Sequence, residues 1–185
     1  MHRGRRGPQA LTPGDQERWD ARFSGLGPGE PGPPDALVGR EELVPATGRA
    51  LDLACGRGTV AVWLARRGLV VDAVDVSSVA LAAGAALAGD LPVHWVAADL
   101  DEGLPVTGPY DVVVCQRFRD PALYPALAGA LAPGGLLVVE VLSAVGDAGG
   151  AFRAAPGELL AAFGHLAMLA HEESAGHARL VARVR

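Results

Sequence analysis

Between Ala50 and Ala65 the chain reads ALDLACGRGTVAVWLA: an apolar strand ends in Asp52, the backbone turns through Ala54, Cys55, Gly56, Arg57 and Gly58, and a helix opens. Glycines at such a bend let the adenosine or phosphate end of a ligand approach the backbone without meeting a Cβ, and the helix aims its free N–H groups at that ligand. The segment predicts an α/β fold with a nucleotide-like cofactor at the end of its first strand.

The glycine turn alone does not choose the cofactor, because Gly56-x-Gly58-x-x-Ala61 also satisfies the loose dinucleotide pattern. The acids at the following strand ends discriminate better. Asp52 closes the first strand. The second strand, Leu69 to Asp75, ends on an acid followed by Val76, Ser77 and Ser78, and a carboxylate there can accept both ribose hydroxyls. The third strand, Val93 to Ala98, runs into Asp99 and Leu100, where the carboxylate can accept from an adenine amino group while the next backbone N–H meets a ring nitrogen. A dinucleotide fold has no general need for that third acid.

In this order the segments DLACGRG at 52–58, VDVS at 74–77, AADL at 97–100, YDVVVCQRF at 110–118 and LAPGGLLVVE at 131–140 resemble the motifs of class I S-adenosylmethionine-dependent methyltransferases. The resemblance spans roughly residues 45–145 and departs from the commonest form at Ala54, where a glycine usually stands. It implies a doubly wound, Rossmann-like, seven-stranded and mostly parallel sheet, with S-adenosylmethionine as cofactor and S-adenosylhomocysteine as product. The implied cofactor residues are Asp52, Ala54, Cys55, Gly56, Gly58, Asp75, Val76, Asp99, Leu100, Cys115 and Gln116. A looser resemblance, carried by Trp19 to Phe23, Arg117 to Leu127 and Pro156 to Leu160, is to the small tellurite-resistance-type and thiopurine-type methyltransferases. It implies a small, soft acceptor such as a thiol or a metalloid oxyanion. It also implies an N-terminal helix folded over the cofactor as a lid, with Trp19 and Arg22 facing the ligand; the alternative is a helix docked elsewhere with Trp19 as its anchor.

The 185 residues suffice for one catalytic domain, residues 45–185, behind an N-terminal tail and helical extension, residues 1–44. A chain of this size buries roughly 70% of its unfolded surface, and a nicotinamide dehydrogenase would need a second lobe for its substrate. All sixteen basic residues are arginine, the mark of GC-rich bacterial coding, and the net charge is −5. The one basic cluster, His2 to Arg6, reads as a tail and not as a nucleic-acid arm. No apolar leader follows it, so the reading is cytoplasmic, with neither nucleic acid nor membrane as partner. Residues 121–139 lack charge over a length that could cross a bilayer, but Pro121, Pro125, Pro133 and the Gly134-Gly135 pair cut them into a helix and a buried strand.

Pattern and punctuation predict helices from Thr12, as N-cap, to about Ser24, then over 35–43, 58–67, 77–88, 120–131 and 156–163. Strands are expected over 49–53, 69–75, 93–98, 110–115 and 136–142, with a closing hairpin from 165–171 and 179–184, and loops over 25–34 and 146–150. The histidines show no metal-ligand spacing. With strands one and four adjacent, Cys55 and Cys115 both lie at the cofactor crevice, either as small side chains beside the ligand or as a redox-sensitive pair.

A sulfonium methyl is already electrophilic, so transfer mainly requires holding the acceptor near attack distance and excluding water. An anionic acceptor needs no base, whereas a hydroxyl or amine does. Gln116, Arg117 and Phe118 leave the sheet on the methyl side, and Arg117, Phe118 and Tyr124 are the candidate acceptor contacts. Arg117 or Arg119 reads equally as a partner of the cofactor carboxylate or as a loop cap, and Tyr124 as a packing residue. The functions carried forward are methyl transfer to a small-molecule acceptor, an NAD-dependent oxidoreductase, and cofactor binding without catalysis.

Overall fold

The computed structural model describes residues 13–27, 29–146 and 152–185. Thr12, the basic cluster at residues 2–6 and most of the 146–150 loop lie outside these. The helices are α1 (Pro13–Ser24), α2 (Thr59–Arg66), α3 (Ser78–Ala88), α4 (Tyr124–Gly129) and α5 (Glu158–Phe163). The strands are β1 (Gly48–Leu53), β2 (Leu69–Asp75), β3 (Val93–Ala97), β4 (Tyr110–Gln116), β5 (Leu131–Leu142), β6 (Ala167–Ser174) and β7 (His177–Arg183).

The strands form one seven-stranded sheet in the order β3-β2-β1-β4-β5-β7-β6. The first five run parallel; β7 is antiparallel to both β5 and β6. Runs such as Val112-Val113-Val114 and Leu136 to Val139 do not alternate because both faces are covered, as parallel strands require. One face packs Leu51, Val113 and Val139 against Leu127 of α4 and Phe163 of α5. The other packs Ala50, Val112 and Val138 against Leu64 of α2 and against Ala36, Leu37 and Val44 of the segment before β1. The strand order reverses between β1 and β4, and in such sheets a ligand sits beyond the carboxyl ends at that switch point.

Three expected helices are shorter or absent. Residues 35–43 form two 3-10 turns, Asp35–Leu37 and Glu41–Leu43, because Gly39 between them adopts a φ of 75°. The helix expected over 120–131 is reduced to α4: Asp120 accepts a hydrogen bond from the Ala122 backbone N–H at 2.9 Å and holds the first residues in a turn. At its far end Leu131 already pairs with Tyr110, so β5 starts five residues earlier than expected, across a register shift that resumes at Val112 and Leu136. The expected helix over 156–163 begins at Glu158, after Gly157 at a φ of 74°. The closing hairpin is longer than expected and turns tightly through Ala175 and Gly176, both at positive φ. Among the described residues no helix is long and apolar enough to cross a membrane.

Candidate active site

The turn after β1 is built from left-handed residues. Ala54, Gly56 and Gly58 have φ values of 52°, 53° and 67°, a region that costs a residue with a Cβ about 1–2 kcal/mol. The chain's own side chains use the space the two glycines leave. A Cβ on Gly58 would overlap the Trp95 ring, which fills the gap between Gly58 and Gly84 of α3, and a Cβ on Gly56 would lie 3.3 Å from the Phe23 ring of α1. The expectation that these glycines clear a path for the ligand is therefore corrected at Gly58, whose open side faces Trp95.

Two acids meet at this turn. Asp75 is buried, and its carboxylate accepts from the Gly56 backbone N–H at 2.7 Å and from the Ser77 backbone N–H at 2.9 Å, joining the glycine turn to the start of α3. Burial raises its pKa, although these backbone hydrogen bonds pull the other way. Asp52 is 2% exposed and its Oδ2 has no hydrogen-bond partner. Burial pushes its pKa up to about 7, opposed by a hydrogen bond from the Ala61 backbone N–H and reinforced by the nearby Asp75 charge. An unpaired buried carboxylate of this kind calls for a cation or a strong donor. The third acid, Asp99, follows β3; its side chain accepts from the Asp101 backbone N–H at 2.9 Å and starts a 3-10 turn in which Leu100 is buried.

Helix α1 is held against this region by Asp20. Its carboxylate accepts from the Ser77 hydroxyl at 2.6 Å and from the Val79 backbone N–H at 3.2 Å, at the N-terminus of α3, where a negative charge is favoured. Trp19 and Phe23 stack with ring centroids 5.9 Å apart, and the Arg22 guanidinium lies 5.4 Å from the Trp19 ring. The sequence reading singled out Trp19 and Arg22, whereas Asp20 makes the tie. No local spacing signals a partner 57 residues away.

At the end of β4, Arg117 has a φ of 60°, its backbone N–H donates to the Glu140 carbonyl, and its exposed guanidinium pairs with Asp35 at 3.5 Å. Phe118 packs against the α4–α5 core, on the opposite face from Gln116 and Asp35. Tyr124 is buried there as well and donates its hydroxyl to Glu158 at 2.9 Å, and Arg119 clamps the same carboxylate at 2.7 and 2.6 Å. The Glu158 pKa is lowered because those hydrogen bonds outweigh its burial, while burial and then Glu158 raise that of the Tyr124 phenol. Glu158 entered the sequence analysis only as part of Pro156 to Leu160, because its partners come from the loop after β4 and the first residue of α4. Cys55 and Cys115 are free thiols. Burial, and then the Asp52 charge, pushes both upward, Cys115 to about 12, so neither has the thiolate character of a redox sensor. Among the described residues no cluster of His, Cys, Asp or Glu could hold a metal ion.

Residues 50–135 match the family described as "Methyltransferase domain". Over those residues, just under half of its length, the chain is similar to a methyltransferase domain. A curated relative, "Putative methyltransferase YqeM" of Bacillus subtilis (strain 168), is 35% identical over 75 residues, which are 40% of this chain and 30% of the relative. Among solved structures, TehB from Haemophilus influenzae superposes with a TM-score of 0.71 at 18% identity, covering 80% of this chain and 61% of that one. An S-adenosylmethionine-dependent methyltransferase from Mesorhizobium loti superposes at 0.66 and 19% identity, covering 87% and 99%. At these identities the structural likenesses show the fold.

Proposed function

We propose that the protein transfers the methyl group of S-adenosylmethionine to a small soft acceptor, a thiol or a metalloid oxyanion. The observation that carries the cofactor assignment is the set of acids at the carboxyl ends of three adjacent strands, Asp52, Asp75 and Asp99, with the buried Asp52 Oδ2 unpaired. That set fits the cofactor's donors. Asp52 would take its ammonium, Asp75 the ribose hydroxyls beside the turn it already fixes, and Asp99 with the Leu100 backbone N–H the adenine edge. Ala54, Cys55, Gly56 and Val76 would line the approach with Gly58 closing the turn behind them, Cys115 and Gln116 would border the methyl side, and Trp19 and Arg22 would close over the ligand from α1.

The bound sulfonium supplies an activated methyl group, so the protein's task is position and dryness. The left-handed residues Ala54 and Arg117 flank the switch point at the ends of β1 and β4, where strained backbone is commonly retained for function. Of the acceptor candidates Arg117, Phe118 and Tyr124, the exposed Arg117 is the one placed to border the acceptor, while Phe118 and Tyr124 pack in the α4–α5 core. Support for the soft acceptor is the looser motif resemblance carried by Trp19 to Phe23, Arg117 to Leu127 and Pro156 to Leu160.

Calorimetric titration with S-adenosylmethionine, S-adenosylhomocysteine and NAD tests the cofactor. Micromolar binding of the first two and none of NAD is expected; NAD binding alone would return the domain to the oxidoreductase reading. Activity on thiols, tellurite or selenite above that on phenols and amines is expected, and the reverse order would refute the acceptor class. Tight cofactor binding with no turnover on any acceptor would favour a binding protein without catalysis.

A further inference from the structure

A buried carboxylate on the acceptor side of the sheet has no part in holding the cofactor. Glu140 lies on β5 in register with Gln116 of β4, and it is 1% exposed. Strand alternation puts Gln116, Glu140, Leu142, His177 and Arg179 on one face, the face that packs Val114, Val138 and Val181 against the 36–44 segment. Glu140 Oε1 lies 3.2 Å from Nδ1 of His177. Its Oε2 faces Arg179 Nε at 3.4 Å, and neither of those two atoms makes a hydrogen bond. A leucine or valine would pack this position at no desolvation cost, and incompletely bonded buried pairs seldom add stability. The carboxylate therefore has another task.

Its geometry defines one. A carboxylate oxygen accepts, and a neutral imidazole that donates to Oε1 from Nδ1 leaves Nε2 with its lone pair. His177 opens β7 beside the carboxyl end of β5; its side chain is 36% exposed, next to Leu142, an exposed apolar residue. Neighbouring strands are about 4.8 Å apart, so the buried end of this pair is one strand from Gln116, where β4 leaves the sheet on the methyl side.

We propose that Glu140 and His177 form a proton-accepting dyad for a protic acceptor, a neutral thiol, with His177 as general base and Glu140 as its positioning residue. The proposal rests on the methyltransferase reading and narrows its acceptor class. As the acceptor sulfur forms its bond to the methyl carbon, the bond from that carbon to the sulfonium breaks and its electron pair stays on S-adenosylhomocysteine. The acceptor's proton passes to Nε2, and the imidazolium is balanced by Glu140. An acceptor that is already anionic gains nothing from the dyad.

The test compares wild type and His177→Gln with 2-mercaptoethanol, largely protonated at pH 7.5, and thiophenol, largely ionised there. A general base contributes typically 10²–10⁴-fold, so the variant should lose about 100-fold or more with 2-mercaptoethanol and less than about 5-fold with thiophenol, with unchanged affinity for S-adenosylhomocysteine. Nitrogen-15 spectra of the ring give a second readout: wild type should show His177 protonated at Nδ1, and Glu140→Gln should move the proton to Nε2. Equal losses with both thiols, no loss with either, or an Nε2-protonated ring in wild type overturns the dyad. So does a wild type that binds S-adenosylhomocysteine but methylates neither thiol, a result that leaves the cofactor assignment standing. Failure to bind S-adenosylhomocysteine would instead refute the methyltransferase reading itself.

Discussion

Replacing Asp52 by Asn should move stability and cofactor affinity in opposite directions. The Asp52 carboxyl sits at about 7 in the folded chain against 3.8 for the free group, because it is buried with one oxygen unpaired and Asp75 nearby. A carboxyl whose folded pKa is raised binds a proton more tightly in the native state, so its contribution is full below the unfolded value and is lost as pH climbs through the folded value. Between pH 5 and pH 8 this one group should remove about 2–3 kcal/mol from the unfolding free energy of the wild type, and nothing from that of Asp52→Asn. At pH 8 the neutral amide escapes the cost of burying a charge but leaves its own NH₂ short of acceptors, which returns about 1–3 kcal/mol. The absolute gain is therefore small, whereas the difference between the two pH values is not. Urea denaturation of both proteins at pH 5 and pH 8, without ligand, measures it directly. If the stability of wild type relative to the variant does not fall between those values, the reasoning about Asp52 is wrong. Cofactor binding should respond oppositely: removing the negative charge should weaken S-adenosylhomocysteine by about 10- to 100-fold, the worth of a hydrogen bond to a charged group. In the wild type the affinity should drop as pH falls below about 7, because a protonated Asp52 no longer attracts an ammonium.

Ala54→Gly should raise the unfolding free energy by about 0.5–1 kcal/mol, since relief of the left-handed strain exceeds the added freedom of the unfolded chain; a lowered midpoint in thermal denaturation would contradict this. Gly58→Ala should cost about 1–3 kcal/mol through the left-handed backbone together with overlap with Trp95, and Gly58→Ala/Trp95→Leu should recover the overlap part; simple additivity of the two changes would refute the contact as a cause. Tyr124→Phe should cost about 1 kcal/mol of stability for the lost bond to Glu158 and leave turnover within about two-fold, a result that would remove Tyr124 from the acceptor contacts; a large loss of turnover would keep it there. Asp20→Ala should release α1, seen as faster tryptic cleavage at Arg18 and Arg22; an unchanged digestion pattern would mean that packing of the Phe23 ring on the Gly56 turn holds the helix without it.

The parallel sheet and its order of helices were legible because their signals are local. Apolar runs without alternation mark covered strands, and Ser77 advertises a helix start by a cap that the structure forms at 3.1 Å to the Ala80 N–H. Boundaries failed where a local preference met a tertiary demand. Leu131 has the composition of a helix end, but pairing with Tyr110 on β4 draws it into β5, and Gly39 divides what reads as one helix into two 3-10 turns. The acids of the turn could be named in advance because they close strands, and a strand end is visible in the sequence. Their states could not, because the shift at Asp52 depends on burial and on a second carboxylate brought close by the sheet.

The same distinction separates the cofactor half of the site from the acceptor half. The proposed cofactor residues lie on consecutive βα units, so each is found by its place after a strand, and the turn, Asp75 and α3 are joined through bonds between near neighbours in the fold. The proposed acceptor side would be assembled from β4, β5, β7 and the segment before β1, whose members lie far apart in the chain: Arg117 meets Asp35 across 82 residues and His177 meets Glu140 across 37. On the proposed reading, adenosine recognition is written in short segments, while acceptor recognition would reside in pairs that only the sheet order brings together. Substitutions at those pairs can alter the acceptor without touching the turn that holds the cofactor, so acceptor choice in this chain is to be sought at Arg117, Glu140, Leu142 and His177, outside the motifs that reveal the fold.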